Sequence, residues 1–143
     1  MAKASRIELP SFLTGEMLTG LDEIDAQHAY FLGLVRAISE VCGHSNPDEA
    51  NALVLEIARY AQSHFAFEET MMDVYSYPDR EQHVAQHASI LRSIRETLSS
   101  GQANFPKLRL QMLSWLSTHI PLDDGKLAQF VIANRPRANA ALV

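Results

Sequence analysis

Four stretches of this chain carry apolar residues at three- and four-residue steps, and every one of the four stripes also carries histidine. From about Asp22 to Cys42 the shared face is Ile24, His28, Phe31, Leu32, Val35, Ile38 and Cys42. The second stretch opens with Asn46-Pro47-Asp48-Glu49, a helix start with a capping residue, a proline at the first position and acids at the positive end of the dipole. Its face is Leu53, Ile57, Tyr60, Ala61, His64, Glu68, Met71 and Tyr75. The third, about Asp79 to Ser100, presents His83, His87, Ile90, Ile94 and Leu98. The fourth starts near Pro106 and presents Leu108, Met112, Trp115, Leu116 and His119. An inward carboxylate such as Glu68 costs several kcal/mol unless something compensates it.

These stripes predict an all-α fold, an antiparallel up-down-up-down four-helix bundle with helices of about 18–25 residues and short loops. Residues 1–20, broken by Pro10, Gly15 and Gly20, form an N-terminal arm whose Leu9, Phe12, Leu13, Met17 and Leu18 pack on the bundle. The bundle unit is 21–133, and 134–143 reads as a tail or linker, which in a longer parent chain would lead to a C-terminal output domain. Gly43 and Gly101 are expected to end the first and third helices, and Tyr77-Pro78 the second. Pro121 is expected to break the fourth soon after His119, leaving Asp124 on a bend before a short last helix from Asp124 to about Ala133. Cys42, the single cysteine, reads as a small buried hydrophobe, and Met71 and Met72 as packing. His44 falls in a turn and is left out of the site. Glu69, about 100° around the helix from Glu68, is expected to be solvated.

In an antiparallel bundle, residues on different helices meet only if they lie at one height. His28 comes at the start of the first helix, His64 late in the second, His83 and His87 early in the third and His119 at the end of the fourth. Start, end, start, end brings all five imidazoles to the same end of the bundle. A lone histidine on an apolar stripe is usually a core residue with its hydrogen bonds met. Five at one level, joined by Glu68 and Asp124, point instead to metal ligation.

Five imidazoles and two carboxylates exceed a tetrahedral zinc site. Two bridging carboxylates, with three histidines on one metal and two on the other, use all seven and leave one metal an open position. No Glu-x-x-His pair of the kind found in ferritin-like carboxylate sites occurs.

Composition narrows the classes of function. A net charge of −5 argues against nucleic acid or an anionic membrane as partner. No apolar run approaches the roughly 20 residues of a membrane span. The first residues lack the apolar block of a signal peptide, so a cytoplasmic location is expected.

His28 within Ile24-Asp25-Ala26-Gln27-His28, the HFxxEE run at His64–Glu69, the HxxxH of His83 and His87, and His119-Ile120 with Asp124 resemble hemerythrin and the bacterial hemerythrin-like domains. The resemblance runs from about Leu21 to Ile132. It implies a non-haem di-iron centre, two iron ions with a bridging oxo or hydroxo group, that binds dioxygen reversibly. By resemblance His83, His87 and His119 hold the saturated iron, His28 and His64 the open one, and Glu68 and Asp124 bridge. The family's apolar ligand pocket maps onto Phe65, Trp115, Leu116 and Ile120, which would exclude water.

The expected function is therefore dioxygen binding, as an oxygen or redox sensor domain or an oxygen carrier, and not catalysis. The alternative is a di-iron oxidase or peroxide-reducing enzyme. An imidazole-rich, carboxylate-poor donor set stabilises the reduced metal and favours binding over oxidation, though low-level oxidase or peroxidase activity is compatible with it.

Overall fold

The stripes become helices wherever the computed structural model describes the chain, which is residues 17–44, 47–101 and 104–141, the side chains of 43–44 and 136–141 set aside. In order these are α1 (Asp22–His44), α2 (Pro47–Tyr75), α3 (Arg80–Ser100), α4 (Phe105–Thr118), a π-helical turn (His119–Asp124) and α5 (Gly125–Ala141). α1 packs on α2 and α4, and α3 on α2 and α4, which closes a ring of four. Neighbours run antiparallel. Going up α2, Tyr60 meets Tyr30 and Phe31 of α1, and the later His64 meets the earlier His28. Between α3 and α4, Gln111 donates to Ser93 Oγ, and Asn104, just before α4, donates to Ser100 at the end of α3. The bundle expected from the sequence is the one observed. No helix among the described residues is long and apolar enough to cross a membrane.

Helix ends follow local chemistry. α3 stops at Gly101, whose φ of +102° suits a residue without Cβ. α2 ends without glycine. Ser76 takes the left-handed conformation (φ +54°), its N–H reaching Asp73 O and that of Tyr77 reaching Met72 O, the paired bonds of a Schellman cap.

Several expectations need correction. α1 continues through Gly43 to His44, so neither residue lies in a turn. Cys42 is exposed, because at this end of the helix Val41 takes the position against the core. Met72, not Met71, is the fully buried methionine of α2. Leu18 is exposed while Met17 packs on the core, and residues 1–16 of the expected arm lie outside the described residues. Pro121 does not break the chain path: the backbone widens into the π turn and continues as α5, which extends well past Ala133.

The apolar interior has two parts. The larger, with Phe31, Val35, Ile57, Phe65, Ile90, Ile94, Leu108, Met112, Leu116 and Ile120, fills the bundle. The smaller joins Leu21, Ile24, Met72 and Tyr77 to Leu127, Ala128 and Val131 of α5. On α1, α2 and the π turn with α5, the sequence passes from one cluster to the other across His28, Glu68 and Asp124, so a polar layer separates the two.

Candidate metal centre

The buried polar and charged residues among those described are nine: Thr19, Asp25, His28, His64, Glu68, His83, His87, His119 and Asp124. The first two satisfy each other. Asp25 Oδ1 accepts from Thr19 N (2.8 Å) and Thr19 Oγ1 (2.7 Å), and its other oxygen accepts from Gly20 N at 3.3 Å, fastening the turn that leads into α1. The other seven are the residues singled out by the sequence, each at most 4% exposed.

α1 supplies His28, α2 supplies His64 and Glu68 one turn apart, and α3 supplies His83 and His87 in the same way. His119 and Asp124 open and close the π turn. In an α-helix, residues five apart diverge by about 140°. In π geometry the hydrogen bonds run from i to i+5, which brings His119 and Asp124 onto one side. The expected short loop is thus replaced by a local widening of the helix, a response to a proline that would clash with the carbonyl four residues back.

All five imidazoles turn Nε2 toward the two carboxylates, and each carboxylate divides its oxygens. Glu68 Oε1 lies 3.2 Å from His83 Nε2 and 3.1 Å from His87 Nε2, whereas Oε2 lies 2.8 Å from His64 Nε2 and 3.6 Å from His28 Nε2. Asp124 Oδ1 faces His83 (3.0 Å) and His119 (3.1 Å), and Oδ2 faces His28 at 2.9 Å. The rings group likewise, His28 with His64 at 5.0 Å between centroids, and His83, His87 and His119 at 4.6–5.2 Å. Two sets of potential ligands result, one of Glu68, His83, His87, His119 and Asp124, the other of His28, His64, Glu68 and Asp124.

Whether a metal fits can be judged from the atoms themselves. His28 Nε2, His87 Nε2, His119 Nε2, Glu68 Oε2 and both Asp124 oxygens are buried without an aligned hydrogen bond, although nitrogens and oxygens stand about 3 Å apart. Buried polar atoms are rarely left so. The donor atoms of each set lie within 4.8 Å of one another, close enough to share an ion, and imidazole with carboxylate is a donor set suited to first-row ions. The residues fit a metal centre.

Without metal the layer holds protons. Burial disfavours charge on His28 and His83, but Asp124 and Glu68 beside them outweigh it and raise both to about 9. Burial likewise works against the Glu68 carboxylate, and the imidazoles of His64, His28 and His83 overcome it and hold its pKa well below the usual range. Asp124 is also depressed: His119, His28 and His83 outweigh burial and the neighbouring Glu68 charge.

Outward-facing nitrogens find partners that spacing did not reveal. His64 Nδ1 lies 2.6 Å from Gln27 Oε1, His87 Nδ1 lies 3.4 Å from Glu69 Oε2, and His119 Nδ1 lies 3.3 Å, poorly aligned, from Asp123 Oδ2. Glu69 is therefore half-buried against His87, contrary to the expectation of a solvated side chain. Asp123 could have been found from its i, i+4 spacing to His119. Gln27 could not, since it lies off the inward stripe. Of the expected pocket residues, Phe65 stacks on His87 (3.9 Å, 8°) and Trp115 on His119 (4.1 Å, 17°). Leu116 and Ile120 are buried in the larger core, and Phe31 meets His64 and Phe65 edge-on or tilted.

A helical bundle with a buried layer of histidines and acids defines a class of cation-binding protein. Residues 19–131 match the family model described as the Hemerythrin HHE cation binding domain, and the chain belongs to the hemerythrin family. It is 28% identical over 118 residues to a bacteriohemerythrin of Stenotrophomonas maltophilia, covering 80% of this chain and 77% of the relative. Bacteriohemerythrins of Pseudomonas paraeruginosa (27%, covering 77% of this chain and 74% of the relative) and Ralstonia nicotianae (27%, covering 80% and 83%) are similar. No solved structure matches the chain.

Proposed function

We propose that the seven residues His28, His64, Glu68, His83, His87, His119 and Asp124 hold two iron ions, and that the protein binds dioxygen reversibly as a carrier or a sensor, not as an enzyme. The observation that carries this is the division of both carboxylates, each with one oxygen toward the three-imidazole set and the other toward the two-imidazole set. That is what bridging two ions requires. An iron pair held by these residues would supply the electrons that dioxygen accepts on binding. His83, His87 and His119 would fill one position with Glu68 and Asp124, while His28 and His64 leave the other a ligand short. Phe65, Trp115, Leu116 and Ile120, with Phe31, keep that layer dry, which slows loss of the bound ligand to water. Residues 21–133 form the working unit, and 134–143 would link it to an output domain if one follows. Five imidazoles against two carboxylates support reversible binding over oxidase chemistry.

The test is a spectrum of the anaerobically reduced, iron-loaded protein before air, under air and after return to argon. A visible band that appears under air and disappears under argon, with about two irons per chain as the seven-ligand layer requires, is the expected result. Irreversible consumption of dioxygen moves the reading to an oxidase, and one zinc per chain removes both.

A further inference from the structure

The two imidazole sets differ in what stands behind them. When Nε2 faces a metal, Nδ1 carries the ring proton and donates it outward. In the three-imidazole set carboxylates stand behind two of the rings: Glu69 lies 3.4 Å from His87 Nδ1, and Asp123 lies 3.3 Å from His119 Nδ1 without an aligned hydrogen bond. In the two-imidazole set the partner of His64 is the neutral amide of Gln27, at 2.6 Å the shortest of these contacts, and His28 Nδ1 has no hydrogen-bond partner. The arrangement around Gln27 is a built one. Tyr60 donates its phenol to Gln27 O at 3.2 Å, and its ring lies within 2° of parallel to that of His64. Gln27 and Tyr60 thus help to set the plane of the His64 ring, alongside His28, Phe31 and Phe65, which also pack on it.

We propose that Gln27 is a positioning residue, which orients His64 and, by being neutral, makes the His28/His64 position the one that holds its electron more tightly. A carboxylate accepting the imidazole proton makes the ring a more basic ligand and favours the oxidised metal. An amide does so far less. One-electron oxidation of the reduced centre by an outer-sphere oxidant such as ferricyanide then removes the electron from the His83/His87/His119 position first, and the His28/His64 position remains ferrous. No bond is made or broken in that step, and the oxidant is reduced by one electron. This rests on the di-iron reading above.

Three variants test it. Gln27→Leu removes the acceptor and, in zinc titrations of the metal-free protein followed by calorimetry, weakens the second zinc by about 10–100-fold while leaving the first unchanged. Gln27→Glu restores that affinity. In the iron-loaded protein Gln27→Glu also favours the ferric state at this position about tenfold, a fall in midpoint potential of about 59 mV for one electron. Glu69→Gln moves the other position's potential upward. Unchanged potentials in both Gln27→Glu and Glu69→Gln, or equal zinc affinities in all chains, overturn the proposal. Wild-type protein that takes up two ions while the variants behave alike sinks only the role of Gln27. Wild-type protein that takes up a single ion sinks the di-iron reading and this one with it.

Discussion

At the scale of single residues, the polar layer is a set of groups that depend on one another for their charge. Glu68 lies within 3.6 Å of four imidazole nitrogens, the most of any acid among the described residues. Glu68→Gln keeps the shape and removes the negative charge. In the metal-free protein it lets His28 titrate below its value of about 9, toward the 6.5 of an ordinary imidazole, which proton NMR of the ring can follow. A His28 titration unmoved by Glu68→Gln would mean that Asp124 alone sets it. Ser76 offers a prediction of a different kind. Its left-handed backbone costs a residue with Cβ about 1–2 kcal/mol relative to glycine. Ser76→Gly is expected to stabilise the fold by roughly 1 kcal/mol in urea denaturation, with the metal site untouched.

Among the elements, the π turn decides the most. Its widened backbone brings Asp124 round to His28, His83 and His119. Pro121→Ala restores a backbone donor and removes the clash that favours widening. A return to α register swings Asp124 by about 100°. Far-UV circular dichroism should then stay as it was while affinity for cobalt(II) falls at least tenfold, and retention of wild-type affinity would show that the turn does not depend on its proline. The packing between elements is more ordinary. Ile94, fully buried in the larger cluster, should cost about 2–5 kcal/mol when cut to alanine, read from chemical denaturation.

For the molecule as a whole, the buried layer ties stability to pH and to metal. His28 and His83 have folded values near 9, above the 6.5 of the unfolded chain. Their contribution is complete below pH 6.5 and lost as the pH rises to 9. Glu68 and Asp124 are depressed from 4.5 and 3.8, so theirs is complete above about pH 4.5 and lost on acidification. The metal-free protein should therefore unfold at its highest temperature between about pH 4.5 and 6.5 and at a lower one by pH 9. A metal competes with those protons, so its binding strengthens over the same rise in pH. At a free metal concentration 100 times Kd the gain is about 2.7 kcal/mol, several degrees in Tm for a chain of this size. The Tm difference between loaded and chelator-treated protein should widen from pH 6.5 to 9. A constant difference would show that the layer does not exchange protons for metal.

Period and height are local properties of a chain, so the helices, their antiparallel order and the convergence of His28, His64, His83, His87 and His119 were legible in the sequence. Hydrophobic spacing fixes which face of a helix turns inward, and rise per residue fixes how far along it each of these side chains stands. Which side chain of a neighbouring helix meets a residue off the inward stripe depends on how the two helices pack, and no spacing rule within one helix reports it. Gln27 behind His64 and Glu69 behind His87 were therefore visible only once α1 met α2 and α2 met α3. The path at Pro121 was likewise a tertiary decision. Proline alone can break a helix or widen it, and packing of Leu127, Ala128 and Val131 against Ile24 and Met72 selects the continuous form that delivers Asp124 to the layer.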